Sequence, residues 1–95
     1  MDVVHDGRQQ KFYVMHKGRE YSLEYNVIEP GIWEFHCPYL PDTGKDLAIL
    51  DYITEYAIFF LKRNKIILQN AGNCPYFADF AARKKDILSV QNSGL

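Results

Sequence analysis

The clearest pattern in the chain is a strict alternation over residues 19–28. Tyr21, Leu23, Tyr25 and Val27 share one side, and Glu20, Ser22, Glu24 and Asn26 the other. A two-residue period of this length predicts a strand with one packed and one polar face. Shorter alternations flank it. Over residues 11–16, Phe12, Val14 and His16 oppose Tyr13 and Met15, and this strand is expected to be covered on both faces. Over residues 32–39, Trp33, Phe35 and Cys37 oppose Ile32, Glu34 and His36. Lys17-Gly18 and Glu29-Pro30-Gly31 are turn sequences in which glycine supplies a positive φ, so the three strands are expected to form an antiparallel meander.

The period changes after residue 46. Leu50, Ile53, Ala57, Phe60 and Leu61 recur at three- and four-residue spacing in a stretch without Gly or Pro, which predicts a helix from about residue 47. Asp51, Glu55 and Lys62 mark its solvated face, and Ile58 among them hints at a partner surface. Lys62-Arg63-Asn64-Lys65 places cations at the helix end, with Asn64 suited to a left-handed cap. Ile66-Ile67-Leu68-Gln69 reads as a buried strand parallel to the third one. A second helix starts at Pro75, with Asn73 or Cys74 near its cap, and carries Tyr76, Phe77, Phe80 and Ala81 to about residue 85. The expected architecture is α+β: an antiparallel three-stranded meander followed by helix, buried parallel strand and helix, βββαβα. Residues 1–10 are expected to be a flexible lead-in, 11–90 a single domain and 91–95 a flexible tail.

Composition narrows the classes of function. Ninety-five residues support one core. A net charge of −1 lacks the basic excess of nucleic-acid binders, so no nucleic-acid partner is expected. Neither a leader pattern nor an apolar run of spanning length is present, which points to a cytoplasmic protein with no membrane partner. In that compartment Cys37 and Cys74 remain reduced. Oligomerisation is possible.

Candidate chemistry concentrates at the junction of residues 39–46, where a strand ends and the long helix begins. Unpaired N–H groups and the positive end of the helix dipole make such a start an anion site. The same residues also read as a cap, with Thr43 on the helix end and the Asp46 carboxylate answering the dipole. Cys74 at the second helix start is a candidate nucleophile, because that position lowers a thiol pKa; as a small apolar side chain it would simply pack. His36 is a candidate general base, or else an exposed polar residue. The two cysteines and three histidines lack ligand-pair spacing, so no metal is expected. Tyr21, Tyr25, Trp33, Tyr39, Tyr52 and Tyr56 could line a ligand channel, although most should be core.

Four stretches in this order carry a family resemblance: Gly18-Arg19-Glu20-Tyr21-Ser22-Leu23-Glu24-Tyr25, Tyr39-Leu40-Pro41, Leu47-Ala48 and Cys74-Pro75-Tyr76. From Phe12 to about Lys85 the chain resembles the small, single-domain branch of the GCN5-related N-acetyltransferases. The resemblance implies transfer of an acetyl group from acetyl-coenzyme A to a small-molecule or peptide amine. It places the pantetheine along Tyr39 and Leu40 and the thioester beside Cys74. The pyrophosphate falls on the loop and helix start at Thr43, Gly44, Lys45 and Asp46. Related enzymes use an Arg/Gln-x-x-Gly-x-Gly/Ala loop. Here Gly44 and Lys45 match, the first basic or amide residue is absent, Asp46 replaces the second glycine, and the loop is about two residues shorter. These departures leave a second reading: a non-catalytic binding or interaction module on the same fold that has lost the acetyl-coenzyme A cradle.

Overall fold

The alternation of residues 19–28 becomes the central strand of a mixed sheet. In the computed structural model, which describes residues 2–36, 44–69 and 74–85, the elements are β1 (Val4–Asp6), β2 (Lys11–His16), β3 (Arg19–Glu29), β4 (Ile32–His36), α1 (Gly44–Arg63), β5 (Ile67–Leu68) and α2 (Pro75–Arg83). The strands lie in the order β1-β2-β3-β4-β5; the first four are antiparallel neighbours and β5 is parallel to β4. The class is α+β, as the pattern of periods implies.

Turn chemistry fixes the register. Between β2 and β3, Lys17 and Gly18 both have positive φ, 52° and 76°, the requirement of a two-residue type I′ hairpin. Gly31 likewise takes φ 84° in the turn before β4. The resulting alignment sets Phe12 opposite Leu23 and Tyr25 opposite Phe35, so one face of the sheet becomes continuously apolar. Both helices cover that face. Leu50, Ile53, Ala57 and Leu61 of α1 and Tyr76, Phe77 and Phe80 of α2 close a core with Phe12, Val14, Leu23, Tyr25 and Phe35.

Three expectations change. The meander has four strands, because Val4–Asp6 pairs with β2 where a flexible lead-in was expected. Asp6 organises that turn: its Oδ1 accepts the Arg8 and Gln9 amides at 3.0 and 3.1 Å, a local side-chain turn that hydrophobic period does not register. Second, β2 is covered on one face only, with Met15 on the other side 58% exposed. Third, β5 is a two-residue edge strand among the described residues, and Ile67 is 52% exposed rather than buried. Continuous apolar runs mark strands covered on both faces, and here no helix among the described residues lies on the second face.

His5 shows why β1 is held. Its ring stacks on Phe12 at 4.6 Å, meets the Phe60 edge at 4.5 Å, and its Nε2 lies 2.6 Å from the Tyr25 hydroxyl. Burial lowers the His5 pKa, against the opposing charge of Asp6. The unfolded chain therefore binds a proton more readily than the folded one below the ordinary value of 6.5. Stability from this residue is complete above that pH and is lost as pH falls through it. The slope cannot exceed about 1.4 kcal/mol per pH unit. Urea unfolding between pH 7.5 and 5 measures it, and His5→Phe removes that contribution while keeping the ring contacts.

The end of α1 also differs by one residue. Ile66 N–H donates to Leu61 O at 2.8 Å and Lys65 N–H to Lys62 O at 3.2 Å, the bond pair of a Schellman motif. This puts Lys65, not Asn64, in the left-handed position, at φ 56°. Asn64 instead donates its side-chain amide to Phe60 O at 2.8 Å. A lysine there carries a Cβ penalty that glycine avoids, so Lys65→Gly is expected to raise stability by about 0.5 kcal/mol in thermal unfolding, net of the entropy glycine adds to the unfolded chain.

Candidate functional site

The first turn of α1 carries Gly44, Lys45 and Asp46, and the side chains around it come from the β2–β3 hairpin. Arg19 follows the hairpin turn directly, and Tyr21 is two residues on along the packed face. The Tyr21 hydroxyl donates to Asp46 Oδ1 at 3.0 Å. The Arg19 guanidinium sits 5.0 Å above the Tyr21 ring, with Nη1 3.7 Å from Asp46 Oδ2. Asp46 thus links the helix start to the hairpin tip. Its negative charge faces a cation that the loop sequence lacks. Arg19 is 66% exposed, leaving donors of the guanidinium open to a further anion. Lys45 is exposed in the same turn. A Cβ built on Gly44 would meet nothing within 4 Å, so no protein atom of the described residues requires glycine there.

β4 and β5 pair at Ile32–Ile67 and Trp33–Leu68, and the last bond between them is Gln69 N–H to Trp33 O at 2.8 Å. β4 continues through Glu34, Phe35 and His36 without a β5 partner among the described residues. Phe35 turns inward against Phe77 of the first turn of α2, with ring centroids 5.1 Å apart. The start of α2 is therefore near residues 34–36 of β4, and the start of α1 near Arg19 and Tyr21 of β3.

Of the residues singled out from sequence, Gly44, Lys45 and Asp46 stand together at the start of α1. Cys74 is the N-cap of α2 and is 5% exposed. Its carbonyl accepts the Ala78 amide at 3.1 Å. His36 ends β4 on the face away from the helices, exposed and opposite Glu24. That face separates it from the interior where Cys74 lies. Tyr39, Leu40 and Thr43, together with Cys37, lie outside the described residues, as does the tail. Among the aromatics, Tyr21 and Tyr25 are core and Trp33 stacks on Tyr25 at 4.0 Å with the planes 3° apart. Tyr52 and Tyr56 are exposed on α1.

A second polar cluster joins the two helices, and sequence reasoning placed its centre wrongly. Asp51 is not on a solvated face; it is 9% exposed. Arg83 grips it bidentately, Nη1 to Oδ2 at 2.7 Å and Nη2 to Oδ1 at 3.0 Å, and the Tyr76 hydroxyl donates to Oδ1 at 2.7 Å. Thr54 Oγ1 lies 2.8 Å from both the Tyr76 hydroxyl and Leu50 O. Two hydroxyl protons serve three contacts here. Tyr76 gives its proton to the carboxylate, so Thr54 shares its own between Leu50 O and the phenol oxygen. Burial is the first cause holding the Tyr76 hydroxyl protonated far above its ordinary range, and Asp51 adds to it. Ile58, expected beside Asp51 on the outside, is likewise buried. Leu47, Asp51, Thr54 and Ile58 recur at spacings of four, three and four, and this stripe is the signal that the inward face is wider than its strongest apolar residues.

Among the described residues there is no group of three or more His, Cys, Asp or Glu side chains placed to hold a metal ion, and no helix is long and apolar enough to cross a membrane. Comparison with protein-family models, curated proteins and solved structures finds no match to the chain.

Proposed function

We propose that the chain is a small acetyltransferase-like domain of the GCN5-related type, binding acetyl-coenzyme A at the start of α1 and transferring the acetyl group to an amine. The observation that carries this reading is the combination at one end of the sheet. The first turn of α1 presents exposed Lys45, with Arg19 of the β2–β3 hairpin beside it, and β4 has a parallel neighbour in β5 at Ile32 and Trp33. A helix start with two cations can hold a pyrophosphate.

The residues fit the group in part. Gly44 leaves room for a phosphate to approach the backbone, Lys45 supplies charge, and Arg19 stands in for the basic residue missing from the loop. Asp46 opposes binding, but Tyr21 and Arg19 already engage its carboxylate. Bound acetyl-coenzyme A supplies an activated thioester. The contribution of the chain is to orient that thioester and bring an amine to it. Buried Cys74 fits packing at the α2 cap better than an acyl-carrying role. Exposed His36, opposite Glu24, is placed to take a proton from an amine only if the acceptor approaches from the open face.

Asp46 in the first turn favours a second reading, a binding module that uses the fold without transfer. Thermal unfolding with coenzyme A and with acetyl-coenzyme A separates them, together with thiol release in the presence of simple amines. At about 100 times the dissociation constant, ligand should add about 2.7 kcal/mol of stability. Stabilisation with thiol release supports transfer, and stabilisation without it supports the module. No stabilisation at millimolar ligand removes coenzyme A from both.

A further inference from the structure

The near-neutral charge of the chain conceals a division between its two layers. Residues 44–69 and 74–85, which include both helices, carry seven Lys or Arg against four Asp or Glu; residues 2–36 carry four against six. All four acids on the helical side have cationic neighbours: Asp46 has Arg19, Asp51 and Asp79 share Arg83, and Glu55 lies 3.8 Å from Lys84. Lys45, Lys62, Arg63, Lys65 and Lys85 have no acidic partner among the described residues. On the opposite side the polar face of the sheet presents Glu24 and Glu34, with Glu20 paired to Lys11 at 2.9 Å.

The helical side also presents aromatic surface. Tyr52, Tyr56 and Phe59 lie on one line along α1, spaced by four and three, and are 47%, 43% and 47% exposed. Lys45 precedes that line by two turns, and Arg63 follows it by one. An outward helix face is ordinarily polar. This one is aromatic at its middle and cationic at its ends.

We propose that the outer face of α1 docks on an anionic lipid bilayer, lying flat against it with Tyr52, Tyr56 and Phe59 at the headgroup boundary. Lys45, Lys62 and Arg63 meet the lipid phosphates and carboxylates. Aromatic residues flanked by cations are the pattern of interfacial helices, and such a helix needs no spanning length. The crest of a helix is convex, which suits a plane rather than the groove that a single nucleic-acid strand occupies. Charge division across the whole domain has the same sense: the acidic sheet face is repelled and the helical face attracted, so the molecule approaches in one orientation.

Flotation with phosphatidylcholine vesicles, with and without phosphatidylserine, tests this on the intact chain. Binding is expected only with phosphatidylserine and is reversed by salt. Arg63→Gln should weaken it about fivefold, the effect of about one surface charge. Phe59→Ser should weaken it at least as much, while Glu34→Gln on the opposite layer leaves it intact. All three positions lie outside the buried core, and circular dichroism checks that each variant folds. Absence of flotation overturns the proposal. So does equal partition into neutral vesicles, or full binding by Phe59→Ser. Retention of a single-stranded oligonucleotide without vesicle binding would assign the face to nucleic acid instead.

Discussion

Asp51→Ala is expected to lower stability by about 3 kcal/mol, the largest effect of any single substitution in the polar parts of the fold. Removing one partner of a buried ion pair typically costs 3–5 kcal/mol because the other charge remains unpaired. Arg83 is 32% exposed and regains some hydration, which places the expectation at the low end. The Tyr76 hydroxyl loses its carboxylate at the same time. For a domain of this size the loss amounts to roughly 12–24 °C in melting temperature. Neighbouring variants give the ranking that identifies the cause. Tyr76→Phe removes the hydroxyl's hydrogen bonds to Asp51 and Thr54 and should cost about 1–2 kcal/mol. Asp79→Ala removes only the outer contact to Arg83, an exposed pair four residues apart, and should cost less than about 0.5 kcal/mol. An Asp51→Ala protein that melts with the wild type would show that the two helices are held by apolar contacts alone.

Exchange of charge at the start of α1 has the second largest expected effect, on ligand affinity. An uncompensated carboxylate about 5 Å from a phosphate charge repels it by about 3 kcal/mol at an effective dielectric of 20. Arg19, 3.7 Å from Asp46, offsets much of that. Asp46→Asn, which retains an acceptor for the Tyr21 hydroxyl, should therefore tighten coenzyme A by about tenfold, near 1.4 kcal/mol. Arg19→Gln should weaken it by a similar factor, because it removes a cation and leaves Asp46 less compensated. The double variant should differ from the sum, since the two groups interact directly. Calorimetric titration of the four proteins measures the cycle. Unchanged affinity in both single variants would place the anion site elsewhere.

The contrast between these two clusters shows what a sequence can carry. Period and turn chemistry made β2, β3, β4, α1 and α2 legible, since Lys17-Gly18 and Glu29-Pro30-Gly31 fix hairpins locally and the apolar line from Leu50 to Leu61 fixes a helix face. The period placed the start of that helix near residue 47, three residues late, whereas α1 begins at Gly44, as the reading of Asp46 as a first-turn carboxylate implies. Arg19 beside Asp46 could not be read, because that contact depends on how a hairpin tip meets a helix distant in sequence. Asp51 was misplaced by the rule that an acid among apolar residues marks a solvated face. Its partner Arg83 is 32 residues away, and nothing local distinguishes a carboxylate that will be paired from one that will be hydrated. β1 was missed because three residues give no measurable period, and its anchor is the long-range packing of His5 on Phe12 and Phe60.

The most direct test of the proposed function is where coenzyme A binds. In amide-resolved NMR titration, coenzyme A should move the Gly44, Lys45 and Asp46 resonances saturably, with smaller effects at Arg19 and Tyr21, and leave the β1–β2 turn unchanged. Unmoved first-turn amides at millimolar coenzyme A, or saturable changes confined to another surface, would contradict the assignment of the α1 start as the cofactor site.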